Sequence, residues 1–152
     1  MEPDECSGEI KFDSVGFVYP TRPDINVLKG LSVTVCRGQT LALVGQSGCG
    51  KSTCIQLLER FYKATTGQIS VDGVPIDQLS VKWLRSQIGF VQQEPVLFDC
   101  SIKDNIIYGS EGKHDESSIR AACETANALD FITGFQQSVS VRAFGSIKHV
   151  QN

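Results

Sequence analysis

The sequence predicts an α/β fold in which an antiparallel β layer flanks part of a parallel core sheet, with a helix rising out of a glycine-rich loop. Three observations predict it. The apolar run Leu41-Ala42-Leu43-Val44 reads as a buried strand, and it passes through the glycine-rich residues 45–50 into Thr53-Cys54-Ile55-Gln56-Leu57-Leu58, which reads as a helix. Upstream, Ile10, Phe12, Val15 and Phe17, then Leu31, Val33 and Val35, recur at strand spacing on either side of a proline-rich loop, the pattern of an antiparallel layer. Downstream, Ile88-Gly89-Phe90-Val91 reads as a second core strand ending at the polar run Gln92-Gln93-Glu94-Pro95, and ligand groups collect at the C-terminal ends of such strands.

Taken in order, residues 1–8 read as a solvated linker ending in Ser7-Gly8. Residues 9–18 form a strand with one irregularity at Asp13-Ser14, where two polar residues interrupt the alternation. Tyr19-Pro20-Thr21-Arg22-Pro23-Asp24 cannot continue a sheet, because proline removes ladder donors. Residues 28–35 resume the alternation, and Arg37-Gly38-Gln39 turns the chain into the strand at 40–44. A helix over 51–62 would bury Ile55, Leu58, Phe61 and Tyr62. Gln68-Ile69-Ser70-Val71 is a short strand with a turn at Asp72-Gly73, and Ser80 caps a short helix running to Arg85. After Pro95 a loop leads to a short helix near 101–106. Residues 115–129 form a longer one, with Ile119, Ala122, Cys123, Ala126 and Leu129 spaced for burial. From Thr133 the periodicity fades, and 133–152 is a tail of no legible structure.

A chain of 152 residues is about one domain, and its 41% hydrophobic and 20% charged residues are a globular composition. A net charge of −3 gives no general basic field, so nucleic acid is not an expected partner. No apolar run approaches the ~18 residues of a membrane helix, and the acidic start Met1-Glu2-Pro3-Asp4-Glu5 is unlike a signal peptide; the chain is expected to be soluble in itself. Six cysteines (Cys6, Cys36, Cys49, Cys54, Cys100, Cys123) lack C-x-x-C spacing, so neither a metal cluster nor a disulfide framework is indicated. Cys49, inside the glycine-rich loop, implies a reducing compartment, and alkylation there is expected to block what the loop binds.

The chemistry concentrates at Gly45-Gln46-Ser47-Gly48-Cys49-Gly50-Lys51-Ser52, which fits G-x-x-x-x-G-K-S/T without a gap, in the strand, loop, helix setting of a P-loop. Its glycines let the backbone curl so that successive N–H groups point inward at phosphate oxygens, where side chains would block the approach. Lys51 reaches the β- and γ-phosphates as a point charge, and the Ser52 hydroxyl can ligate Mg²⁺. The first turn of the helix, through Thr53, adds free N–H groups and its partial positive charge. The bland alternative, a turn that happens to contain Lys and Ser, leaves the complete eight-residue pattern and both correct flanks unexplained. Nucleotide binding is therefore expected, though the motif does not say which nucleotide.

Several further stretches, in one order from about residue 8 to 131, resemble the nucleotide-binding domain of ATP-binding cassette (ABC) transporters. The likeness is strongest to the B-type exporters, the group containing P-glycoprotein and the bile salt export pump. Tyr19, in Phe17-Val18-Tyr19-Pro20-Thr21-Arg22-Pro23, matches the A-loop aromatic that stacks on adenine. Val27-Leu28-Lys29-Gly30-Leu31-Ser32 and Gly38-Gln39-Thr40-Leu41-Ala42-Leu43-Val44 match the strands leading to the Walker A loop, and Leu57-Leu58-Glu59-Arg60-Phe61-Tyr62 and Val71-Asp72-Gly73 the segments after it. Gln93, in Gln92-Gln93-Glu94-Pro95-Val96-Leu97-Phe98, matches the Q-loop glutamine, and Asp104-Asn105-Ile106-Ile107-Tyr108-Gly109 the start of the helical subdomain.

The resemblance implies the N-terminal portion of a P-loop NTPase fold of the ABC ATPase kind over residues 9–132, with ATP and Mg²⁺ as cofactors. It implies adenine stacked on Tyr19, an interaction of about 1 to 3 kcal/mol, and Gln93 ligating Mg²⁺ and sensing the γ-phosphate. Read from the residues alone, Tyr19 is equally a packed loop tyrosine and Gln93 a polar residue facing water. The implied partners in a full-length transporter are transmembrane domains, whose coupling helices the Q-loop touches, and a second cassette, at the cytoplasmic face of a membrane. Trp83 reads as packing, His114 as a solvated loop residue, and His149 has no motif around it.

The family's later motifs are not found: no L-S-G-G-Q signature, no switch histidine, and the only Asp-Glu pairs, Asp4-Glu5 and Asp115-Glu116, follow no apolar strand as a Walker B would. The chain is therefore expected to bind ATP at most, with hydrolysis and transport belonging to a full-length exporter. One alternative is a truncated, non-catalytic isoform acting as a nucleotide-binding or interaction module. Another, a free-standing P-loop NTPase or kinase, is disfavoured by the setting of Tyr19 and Gln93. The transported substrate is not legible, because in this family it is set by transmembrane segments.

Overall fold

The computed structural model describes residues 1–91, 96–110, 112 and 114–134. The chain divides into two compact units, Met1–Phe90 and Val91–Asn152. In the first, strands β1 (Ile10–Val18), β2 (Asn26–Val35), β3 (Thr66–Val71) and β4 (Val74–Pro75) form an antiparallel sheet of order β2-β1-β3-β4. The expected irregularity at Asp13-Ser14 is a bulge: pairing to both neighbours shifts there, and Ser14 takes φ 50. One extra residue reverses the phase of the side chains. Phe12 before the bulge and Val15 and Phe17 after it all point into the core, where strict alternation from Phe12 would have put Ser14 inward.

The Asp72-Gly73 turn joins β3 to β4 with both central residues at positive φ, as a tight hairpin requires. Asp72 also holds the N-terminal segment. Its carboxylate accepts hydrogen bonds from the N–H groups of Ser7 (2.8 Å), Gly8 (3.3 Å) and Glu9 (2.9 Å) and from the Ser7 hydroxyl. Residues 1–8 are thus largely exposed but tied down. Partial desolvation works against the Asp72 charge, but these four bonds outweigh it and hold the carboxyl well below the usual carboxylate range. A depressed folded-state pKa contributes stability that is complete above the unfolded value, about 3.9, and fades only as the pH falls from there toward the folded value. Asp72→Asn is therefore expected to lower the urea midpoint by a constant amount from about pH 8 to 5 and by less and less below about pH 4. A gap that instead closed between about pH 7 and 5 would contradict this account.

The core joins the sheet to helix α1 (Lys51–Leu58), a 3₁₀ turn at Ile76–Gln78 and helix α2 (Val81–Ser86), with Val15, Leu57 and Leu84 completely enclosed. Ser80 caps α2, its hydroxyl accepting from the Trp83 N–H at 3.4 Å. Helix α1 is shorter than its sequence pattern suggests. Arg60 takes φ 57, which a helix cannot continue through, so the helical spacing stops before Phe61. The buried face is Thr53, Cys54, Leu57 and Leu58, and Phe61 is 59% exposed beneath the Arg85 guanidinium, 4.4 Å from its ring.

The α/β class stands, with one correction. Residues 40–44 and 88–91, expected as parallel core strands, have no ladder partner among the described residues, where the only sheet is antiparallel. A parallel strand exists only through a neighbour reached by a crossover of a dozen or more residues, and neither segment has one there. The apolar signal was real and the pairing it implies is not made among the described residues, where Val44 is 91% and Val91 94% exposed. Leu41 and Leu43 line an apolar groove of ≈ 210 Å³ with Phe12, Leu31, Cys54 and Leu58.

In the second unit, α3 (Ile102–Ile107) is capped by Ser101, whose hydroxyl accepts from the Asp104 N–H at 3.0 Å. The helix expected over 115–129 is two: α4 (Glu116–Thr125), capped by Asp115, and α5 (Leu129–Thr133). Asn127 at φ 53 separates them, and the Ala128 N–H closes the end of α4 on the Cys123 carbonyl, the asparagine form of a helix stop. Ile119, Cys123 and Ile132 form this unit's small core. Among the described residues no helix is long and apolar enough to cross a membrane.

Candidate functional site

Residues 45–50 run directly into the start of α1. Gly50 is the N-cap at φ 97 and no side chain caps this end, so the first-turn N–H groups have no partner within the helix and face the loop. Together with the helix dipole they form an arrangement whose chemistry suits an anion. Only glycine fits at position 50: besides its positive φ, a Cβ would lie 2.7 Å from Leu28 Cδ2 and 3.2 Å from Val27 Cγ1. Strand β2 therefore sets where the helix begins, and the close approach of helix to sheet fixes the mouth of the loop.

Lys51 Nζ donates to the carbonyls of Gly45 and Gln46, both at 2.8 Å, and lies 3.6 Å from Cys49 Sγ. The ammonium is drawn into the curl of the loop, where two carbonyls stand in for the anionic oxygens it would otherwise meet. These bonds are solvent-exposed, so exchanging them for phosphate oxygens costs little. Gly45, Gln46, Ser47, Gly48, Cys49 and Ser52 are exposed around this point. Thr53 is buried, so its place in the site is through the backbone. All six cysteines are free; Cys54 is on the buried face of α1, and burial pushes its thiol up.

Tyr19 follows directly on β1 and lies against α1. Its hydroxyl is 2.9 Å from Thr53 Oγ1 and 2.7 Å from Gln56 Oε1, and its ring meets Phe17 and Tyr62 edge-on at 4.8 and 5.1 Å. The fold thus sets Tyr19 against α1, the helix that residues 45–50 lead into and whose first turn holds Lys51, Ser52 and Thr53. Gln93 lies outside the described residues. Sequence reasoning missed Gln56; its signal is a polar pair, Thr53 and Gln56, three apart on one face of α1, with Gln56 set between the apolar Ile55 and Leu57.

A protein-family model described as ABC transporter matches residues 28–143. The chain is 49% identical over 134 residues to the mouse protein named ATP-binding cassette sub-family B member 5, covering 88% of this chain and 11% of the relative. It is 49% identical over 134 residues to ABC transporter B family member 21 of Arabidopsis thaliana, 88% of this chain and 10% of that one. It is 50% identical over 133 residues to Multidrug resistance protein 1 of Entamoeba histolytica, 86% of this chain and 10% of that one. The chain spans about a tenth of the length of these curated relatives.

Proposed function

The chain belongs to the ABC transporter family, as an ATP-binding domain related to the B-type exporters, and from that premise we propose that it binds Mg-ATP through residues 45–53 with adenine stacked on Tyr19. The observation that carries this reading is the uncapped start of α1 beneath a loop whose Lys51 ammonium already occupies an oxygen-lined concavity. The triphosphate displaces the Gly45 and Gln46 carbonyls from Lys51, and the N–H groups of the loop and first helical turn take the remaining phosphate oxygens. Magnesium keeps most of its ligands as water and phosphate. The exposed Ser52 hydroxyl, next to Lys51, suits one remaining place and Gln93 another. No group of three or more His, Cys, Asp or Glu able to hold a metal occurs among the described residues, so the ion would arrive with the nucleotide. Bound there, it neutralises phosphate charge.

Hydrolysis needs a carboxylate to hold the metal and polarise water, and neither Asp4-Glu5 nor Asp115-Glu116 is set behind an apolar strand to do so. The chain by itself is therefore a binding unit. Coupling of hydrolysis to transport, with transmembrane domains and a second cassette at a cytoplasmic membrane face, is the role proposed for a full-length protein containing it. The test is equilibrium binding of Mg-ATP to residues 1–152 with phosphate release followed in the same tube. Saturable binding without release is the expected result; catalytic release, or a folded chain that ignores ATP, would overturn it.

A further inference from the structure

We propose that Gln56 is a positioning residue of the nucleotide site: by accepting the Tyr19 hydroxyl it fixes the tilt of the ring on which the base stacks. The inference rests on Tyr19 being the base platform. A phenol carries one hydrogen and an amide oxygen can only accept, so at 2.7 Å Tyr19 donates to Gln56 Oε1 and, at 2.9 Å, Thr53 donates to Tyr19. The chain of donors is thereby directed from Thr53 through Tyr19 to Gln56. Thr53 is buried and the other two half-buried, which limits exchange with water and lets the two bonds reinforce each other.

Thr53 and Gln56 lie three residues apart on α1, the helix whose first turn holds Lys51 and Ser52. Ring and phosphate loop are therefore referred to one rigid element. The edge-on contacts with Phe17 and Tyr62 hold the body of the ring, and its hydroxyl end is located by the two hydrogen bonds to α1. Removing the acceptor frees the ring to tilt, and the loss falls on the base rather than on the phosphates.

The experiment compares Mg-ATP with Mg-tripolyphosphate, which has three phosphates and no base, on the full 152-residue chain. Gln56→Leu is expected to weaken ATP about threefold and leave tripolyphosphate unchanged. Tyr19→Phe, which keeps the ring but removes the donor, is expected to do the same, and the double variant to be no weaker than either single one. Parallel loss of both ligands, no loss of either, or full additivity would overturn the proposal. Should Gln56→Leu fail to fold, Tyr19→Phe must show the split by itself, and its failure to do so overturns the proposal equally. Failure of the underlying reading looks different: Tyr19→Ala would then bind ATP as tightly as the unaltered chain, or Lys51→Ala would bind tripolyphosphate undiminished.

Discussion

Lys51→Ala is expected to weaken Mg-ATP binding by about a hundredfold or more while leaving the chain folded. A hydrogen bond from an ammonium to a charged oxygen is worth about 1.5 to 3 kcal/mol, and Lys51 can direct its donors at two phosphates, so the loss is about 3 kcal/mol at least. In the free chain the same ammonium bonds the Gly45 and Gln46 carbonyls, but it does so at the surface. Water replaces it there, so the folding cost stays below about 1 kcal/mol. The two effects separate in one thermal experiment. A ligand that binds only the folded state stabilises it by about 2.7 kcal/mol at a hundredfold excess over Kd, so ATP should raise the midpoint of the unaltered chain and leave that of Lys51→Ala where it was. A mutant whose midpoint rises as much as the parent's would remove Lys51 from the site and the P-loop assignment with it.

What was legible in the sequence was local. The P-loop motif is eight contiguous residues with Gly45, Gly50, Lys51 and Ser52 at its four fixed positions, and its helix starts where the motif puts it, at Lys51. The bulge at Asp13-Ser14 and the turn at Asp72-Gly73 were readable because polar or glycine residues break a short-range alternation. What failed depended on distant partners. The apolar run 41–44 has the composition of a core strand, but a ladder needs a neighbour, and composition does not supply one. Phe61 and Tyr62 continue the helical spacing on paper, but Arg60 at φ 57 ends the helix, and a positive φ at an arginine leaves no mark in the sequence. The Asp72 clasp and the Tyr19–Gln56 bond join residues 63 to 65 and 37 positions apart, so neither has a local signature. The expected Q-loop position, Gln93, lies outside the described residues.

Gly67→Ala is expected to destabilise the first unit more than any surface substitution on the same strand. Gly67 lies in β3 opposite the β1 bulge, with φ 76, and a Cβ there would sit 2.3 Å from the Ser14 carbonyl oxygen, 2.4 Å from that of Asp13 and 2.5 Å from Ser14 C. These are backbone atoms, so no rotamer change relieves the clash. Ser14 is itself pinned, its N–H donating to Ser32 Oγ of β2 at 2.9 Å, so the bulge cannot retreat without disturbing the pairing on its far side. The left-handed conformation alone costs a residue with a Cβ about 1 to 2 kcal/mol. Displacing the bulge adds the packing of Val15, which the bulge aims into the core at 0% exposure. A total of about 3 kcal/mol or more follows, a large part of the 5 to about 15 kcal/mol that holds a typical domain. Urea unfolding measures it against Gln68→Ala, an exposed neighbour on the same strand expected to change stability by about 0.5 kcal/mol or less. If the two variants unfolded together, the bulge would not be wedged against β3, and the phase reversal that puts both Phe12 and Val15 inside would have to be held by some other contact.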